Sequence, residues 1–245
     1  MLNAFRSLDL VHGQAVSNLD PLFGSRITPI VGGGRSFTSD DETHFVYCHK
    51  GKFNLTLQDN RFYPLQAGMY ACISGAFVSA EPTAYGIVIT KPKYKGLFQI
   101  GGPVEQVGRL KYIDGCTDSL LIPPVMKGDP CFNLLVFPPG IDQTMHTHPS
   151  VRLGMVISGR GLCRDLDPID AGKERHTELY PGQVFSIAAE GVHAFSTPHG
   201  EGMAVVAYHP DSDFGPTHEE HPMLNRTIID GVSAKDPSRA QYRTQ

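Results

Sequence analysis

The stretch Gly140-Ile-Asp-Gln-Thr-Met-His146-Thr-His148 decides the reading of this chain, together with His193 further on. On a β-strand, two histidines two positions apart project from the same face, because strand side chains alternate. A third histidine on an opposing strand closes three nitrogen ligands around one side of a metal ion. Just beyond it, Leu153-Gly-Met-Val-Ile-Ser-Gly159 is an apolar strand that ends in a glycine turn. Gly182 follows an intervening strand and loop, and His193 comes eleven positions after it. Each histidine alone reads as an ordinary hydrogen-bonded residue. Their combination with the bracketing glycines points to metal.

This two-part pattern, G-x5-H-x-H and then the Gly182 to His193 spacing, resembles the signature of the cupin superfamily. The resemblance implies an all-β fold of jelly-roll barrels, with His146, His148 and His193 holding one divalent metal ion near a barrel mouth. The chain departs from the family pattern in two places. Typical cupins add a glutamate four or five residues after the second histidine, where this sequence has Arg152 and Leu153. The proline usual in the second motif is Ala188, and its glycine is displaced to Gly191. The ligand set is thus three neutral imidazoles without a carboxylate, similar to three-histidine cupins such as thiol dioxygenases and diketone-cleaving enzymes. An ion there keeps its full charge and acts as a stronger Lewis acid. Three imidazoles suit zinc as well as iron, so Fe(II) and Zn(II) both stand.

A weak internal duplication accompanies the motif. Phe45-Val-Tyr-Cys-His-Lys-Gly51 parallels the run ending at Gly159, and Pro64-Leu-Gln-Ala-Gly68 parallels Pro181-Gly182. Apolar strands follow both turns, at 69–73 and 184–187, and closing strands follow at 85–90 and 203–208. A repeated β-unit of this size predicts two tandem jelly-roll barrels, a bicupin. The expected organisation is a first barrel over 1–100, a connector over 101–130, a metal-binding barrel over 131–210, and a lid or arm with a loose tail over 211–245. The segment Arg109-Leu-Lys-Tyr-Ile-Asp-Gly-Cys116 is expected to lend a strand to the second barrel. Counting from the matching glycines places Thr38, Asp40 and Ser79 where the second copy has its three histidines. His44 occupies the usual glutamate slot. The first barrel is therefore expected to hold no metal and to serve packing or dimerisation, with a residual site around Asp40 and His44 as the alternative.

Arg152 has two readings. A strand unbroken past Pro149 sends it toward the barrel interior, where a guanidinium beside a cationic metal calls for an anion, such as a substrate carboxylate. A register shift at Pro149 leaves it on the surface, paired with an Asp or Glu. The stretch His209-Pro-Asp-Ser-Asp213-Phe-Gly-Pro-Thr-His218-Glu-Glu-His221 is dense in potential ligands. Its spacing repeats no known ligand geometry, so it reads as a lid or dimer arm in which Asp211 and Asp213 cap turns, with a second metal site as the lesser reading. Met145, Met155, Phe185 and Phe195 are candidates for excluding water, or simply core.

Composition narrows the function class. The net charge is −4 and no basic cluster appears, which argues against nucleic acid. No apolar run approaches the about 18 residues of a membrane span, and the first residues lack a secretory pattern. Five cysteines form no C-x-x-C pair, which suits a reduced, cytoplasmic setting. No G-x-S-x-G, P-loop or dinucleotide fingerprint is present. Three functions remain. The favoured one is a three-histidine Fe(II) dioxygenase acting on a small, anionic, carboxylate-bearing substrate, with Arg152 orienting it. The second barrel is also faintly similar to zinc cupins that join two nitrogen atoms, forming hydrazines from N-hydroxylated amino acids. The third is a non-enzymatic ligand-binding bicupin. A homodimer is the default assembly, since exposed strand edges commonly pair.

Overall fold

A computed structural model describes residues 4–8, 14–39, 41–167, 170, 173–212, 223 and 226–242. Nearly all of its regular structure is β. The first unit is built from β2 (Arg26–Phe37), β3 (Glu42–Lys50), β4 (Lys52–Leu57), β5 (Phe62–Gln66), β6 (Tyr70–Ile73), β7 (Ala76–Pro92) and β8 (Gln99–Gly101). The second contains β9 (Leu110–Lys111), β10 (Thr117–Ile122), β11 (Cys131–Phe137), β12 (Arg152–Gly159), β13 (Gly161–Leu166), β14 (Glu174–Leu179), β15 (Val184–Ile187), β16 (His193–Ser196) and β17 (Met203–His209). The chain's first strand, β1 (Phe5–Ser7), pairs with β15 and so belongs to the second unit's sheet. A small hairpin, β18 (Ile228–Ile229) with β19 (Val232–Ser233), follows.

In the first unit the strand order is β5-β4-β7-β3-β6-β8, with β2 running along the length of β7. In the second, β1-β15-β12-β17-β11-β10-β9 forms the larger sheet and β14-β13-β16 the smaller one facing it. The two units correspond in their central strands: β3, β4, β5 and β6 match β12, β13, β14 and β15, and the long β7 spans the places of β16 and β17. Met155 pairs with Val184 in one, and Tyr47 with Tyr70 in the other. Gly159 and Gly51 both end their strands at positive φ. A side chain at Gly159 would collide with the Gly202 carbonyl, 1.8 Å from the added carbon, so this turn tolerates only glycine.

Alternation along the strands separates two cores. On β17, Val206 and Tyr208 face the first unit and pack with Ile27, Phe45, Tyr47 and Ile89. Val205, Ala207 and His209 face the opposite way, into the second barrel. Strands covered on both faces lose the usual polar-apolar alternation, which is why Met-Ala-Val-Val-Ala-Tyr reads as a continuous apolar run. Across this interface Ser25 and Tyr208 share a hydrogen bond of 3.1 Å, and Tyr85 donates to the Gly182 carbonyl at 2.8 Å. Met155 lies in the inter-unit core. Of its two readings, core is the one observed, because its parity on β12 points it away from the metal site.

Three expectations change. The strand drawn through His146 and His148 does not form. Residues 138–151 run as a loop tied to β16 by single bridges, Asp142 to Ser196 and His146 to His193. Ser79 is not the counterpart of His193. The ladders pair Cys163 with Phe195 and Leu55 with Val78, which puts Ala76 in that place. Two residues join β6 to β7, against five between β15 and β16, so counting forward from the glycine overshoots by three. Lastly, the segment expected to be a connector supplies β10 as well as the anticipated strand near Leu110. Asp40 and residues 213–222 lie outside the described residues, as does most of the ligand-dense stretch, whereas His44, the other member of the residual first-barrel site, is buried against Thr90.

Candidate metal centre

His146, His148 and His193 meet at one end of the second barrel, with their ligand nitrogens all within 4.8 Å of one another. The ring centroids are 4.6 to 5.2 Å apart. Two backbone hydrogen bonds, of 2.9 and 3.0 Å, clamp His146 to His193. The His148 carbonyl accepts from the Glu190 amide at 2.7 Å, which ties the two ligand-bearing loops together again.

The loop supports explain how non-strand residues can be held in place. The buried Gln143 accepts from the Phe195 amide at 3.1 Å and reaches the Cys116 sulfur. Arg164 donates to Asp142 at 2.7 Å and to the Gln143 carbonyl at 2.9 Å. On the other side, Ala188 donates to the Ala4 carbonyl. Phe5 gives its amide to Asp165, which Arg175 grips with two nitrogens, each at 3.2 Å. Asp165 pairs directly with His193 in the ladder. The N-terminal strand thus braces the loop that presents His193.

The ring chemistry fits a divalent ion. His146 Nδ1 faces the Thr144 carbonyl at 2.8 Å, and His193 Nδ1 faces the Gly191 carbonyl at 2.8 Å. A carbonyl only accepts, so Nδ1 carries the proton and Nε2 keeps its lone pair for a metal. Burial pushes the His148 pKa down to about 2, helped by Arg152, His193 and His146. Burial likewise lowers His193 to about 4, with the Gly191 bond opposing and His146 and Arg152 assisting. Both rings therefore stay neutral, the form that ligates metal, at neutral pH.

A cavity of about 340 Å³ opens beside the three histidines. One wall is apolar, with Phe137, Phe185, Phe195 and Val205. Phe185 and Phe195 are where the sequence placed them, whereas Met145 does not line this cavity. Arg152 does line it, and its charge is felt by both His148 and His193. The interior placement of Arg152 is therefore the observed one, although β12 begins only at Arg152 and no strand runs unbroken past Pro149. Its Nη1 donates to the Ser150 carbonyl and hydroxyl, both at 2.9 Å, which fixes the guanidinium.

The polar residues opposite were missed from sequence. Asp118 on β10, Asn133 on β11 and His209 on β17 line the same cavity. The Asn133 amide nitrogen donates to both Asp118 oxygens, at 2.9 and 2.8 Å, while its oxygen accepts from His209 Nε2 and the Cys131 thiol. A polar residue at every second position of an apolar run, as in Cys131-Phe-Asn133-Leu, was the available signal. His209 appeared in sequence only as a member of the ligand-dense stretch, and its ring lies in the cavity wall.

No protein-family model and no curated protein matches the chain. Solved structures do. The putative glyoxylate-induced protein of Pseudomonas aeruginosa superposes with a TM-score of 0.61 at 14% identity, over 87% of this chain and 86% of that one. A cupin 2 conserved barrel protein from Leptotrichia buccalis gives 0.57 at 15% identity, over 83% and 92%. Oxalate decarboxylase of Bacillus subtilis, described by its Mn(II) centres, gives 0.55 at 13% identity, over 87% and 78%. Such coverage exceeds either β-unit alone, so both take part in the match. The fold is that of cupin-type proteins. Among the described residues, no helix is long and apolar enough to cross a membrane.

Proposed function

We propose that this chain is a metal-dependent bicupin enzyme of small-molecule metabolism, with one divalent ion on His146, His148 and His193 and Arg152 as the anchor for a substrate carboxylate. The observation that carries this reading is the convergence of three imidazoles on a cavity that also holds a fixed guanidinium. The bound ion would supply Lewis acidity and, in an iron form, one-electron chemistry with O2. The chain's own residues do the rest. The Thr144 and Gly191 carbonyls keep the His146 and His193 rings oriented, and Phe137, Phe185 and Phe195 exclude water from one wall. Arg152 presents a planar donor whose charge a carboxylate neutralises.

The favoured chemistry is that of a three-histidine Fe(II) dioxygenase acting on a small carboxylate. A site of neutral imidazoles keeps zinc as the second reading, that of a non-redox Lewis acid as in cupins that join nitrogen atoms. The Mn(II) centres of oxalate decarboxylase add manganese to the ions worth assaying, and that enzyme's name gives a small carboxylate as its substrate. Metal analysis of protein purified without chelators, paired with oxygen uptake on a panel of small carboxylates, tests the proposal. Iron with oxygen uptake is the expected result. Tightly held zinc without uptake favours the second reading, and a chain that retains no ion overturns both.

A further inference from the structure

We infer that Asp118, clamped by Asn133, is a second recognition pole of this cavity, so that the substrate carries an ammonium or comparable cationic nitrogen as well as its carboxylate. The inference rests on the proposed role of Arg152 and extends it to the opposite wall.

Two buried aspartates in the same barrel show why. Asp165 is fully buried, and its charge is met by two nitrogens of Arg175 and the Phe5 amide. Asp118 is nearly as buried, at 9% exposure, yet its side chain is held only by the neutral amide of Asn133. Among the described residues no cation pairs with it. A buried carboxylate costs several kcal/mol of desolvation that a neutral donor offsets only in part. Burial accordingly raises the Asp118 pKa, against the opposing effect of Asn133. Asp165 is built as a structural ion pair. Asp118 is built as half of one, facing a cavity.

The Asn133 NH2 group faces the two Asp118 oxygens, which as a carboxylate only accept, while its Oδ1 lies against the His209 ring nitrogen and the Cys131 thiol. Each carboxylate oxygen, accepting one bond from Asn133, has a lone pair left for a donor from the cavity. Asp118 and Arg152 stand on strands three steps apart in the order β12-β17-β11-β10. The ladders set Asp118 level with Val156 through Leu135 and Val205, four residues along β12 from Arg152. Three steps of about 4.8 Å and four residues of about 3.3 Å separate the two backbones by roughly 14 Å across the sheet and 13 Å along it, before the side chains reach into the cavity they share. Tyr112 and Cys131 feel both charges. A small molecule with opposite charges at its two ends would meet both poles in the one cavity that they line.

The test uses metal-loaded protein and matched probes, namely glycine with acetate, β-alanine with propionate, and 4-aminobutyrate with butyrate. Affinities are read by ligand-detected NMR. In the wild type, at least one amino member is expected to bind about tenfold tighter than its partner, the worth of one hydrogen bond to a charged group. Asp118→Asn should bring that ratio to about one while leaving the simple acids unchanged. Asp118→Glu, whose carboxylate reaches one methylene further, should move the preference toward a shorter amino probe, a change no misfolded variant could mimic. If simple acids bind and the amino members gain nothing, or if Asp118→Asn keeps the preference, this inference is wrong and Arg152 keeps its role. If neither class binds, the Arg152 reading falls and takes this inference with it.

Discussion

The two β-units share a strand plan and differ in what fills it. The first interior is closed by Val46, Cys48, Phe53, Leu55, Val78 and their neighbours, all buried and apolar. The second keeps an apolar base around Phe137, Cys163 and Phe185 and leaves a cavity with charged groups above it. The slot that carries Arg152 in one carries His44 in the other, both pointing inward. His44 is fully buried, bonded to Thr90 at 3.0 Å and set against the Phe37 ring at 4.9 Å. Where the second unit spends five loop residues presenting His193, the first uses two and ends on Ala76. A three-residue difference in one loop thus accompanies the change from a candidate metal centre to a packed core, as does the joining of two strands into the single long β7.

The comparison breaks most decisively on metal content. One ion per chain is expected, with His148→Ala losing most of it and keeping the fold, because the packed core does not include that ring. Plasma emission analysis giving two ions per chain, or an unchanged content in the variant, would contradict it. Next in size is packing. Phe53→Ala, in the filled interior, should cost about 3–5 kcal/mol. Leu135→Ala, half-buried beside an existing cavity, should cost about 1–2 kcal/mol, since truncation there opens less new void. Urea denaturation of both variants measures the contrast, and equal losses would mean the interiors are equally packed.

The third effect is acid sensitivity in the first unit. Burial lowers the His44 pKa to about 4, with Glu42 opposing, against about 6.5 in the unfolded chain. The neutral ring's contribution is complete above pH 6.5. As the pH falls toward 4 the unfolded chain takes up a proton that the folded one refuses, and about 3 kcal/mol is lost. His44→Leu should flatten that part of the stability curve. An acid limb as steep as in the wild type would show that His44 is not the group responsible.

The fourth effect is that of Arg152→Lys. It should retain the metal and weaken binding of a simple carboxylate such as propionate by about ten- to a hundredfold, because lysine lacks the two-pronged grip. Unchanged affinity would move the anion pole elsewhere in the cavity.

The histidine trio was legible because its spacing is local on each side of the barrel and carries glycines whose backbone angles constrain the turns. The β class and the pairing of two similar units followed from apolar runs cut at glycine and proline. Periodicity did not settle Arg152, because the strand expected to run through Pro149 begins only at Arg152 and the cavity it lines is what places it inside. What sequence could not supply is anything that depends on register between distant strands. Counting from a glycine misplaced the equivalent of His193, because loop length is free to change where only the loop ends are tied. Met155 and Phe185 look alike as apolar residues in strands, and only the packing of one unit on the other decides which of them faces the cavity. Asp118, Asn133 and His209 lie on three neighbouring strands, far apart in the chain. Their hydrogen bonds exist only because the sheet order β17-β11-β10 brings them side by side. A strand's own alternation says which residues share a face, whereas the partner across that face is chosen by the whole fold.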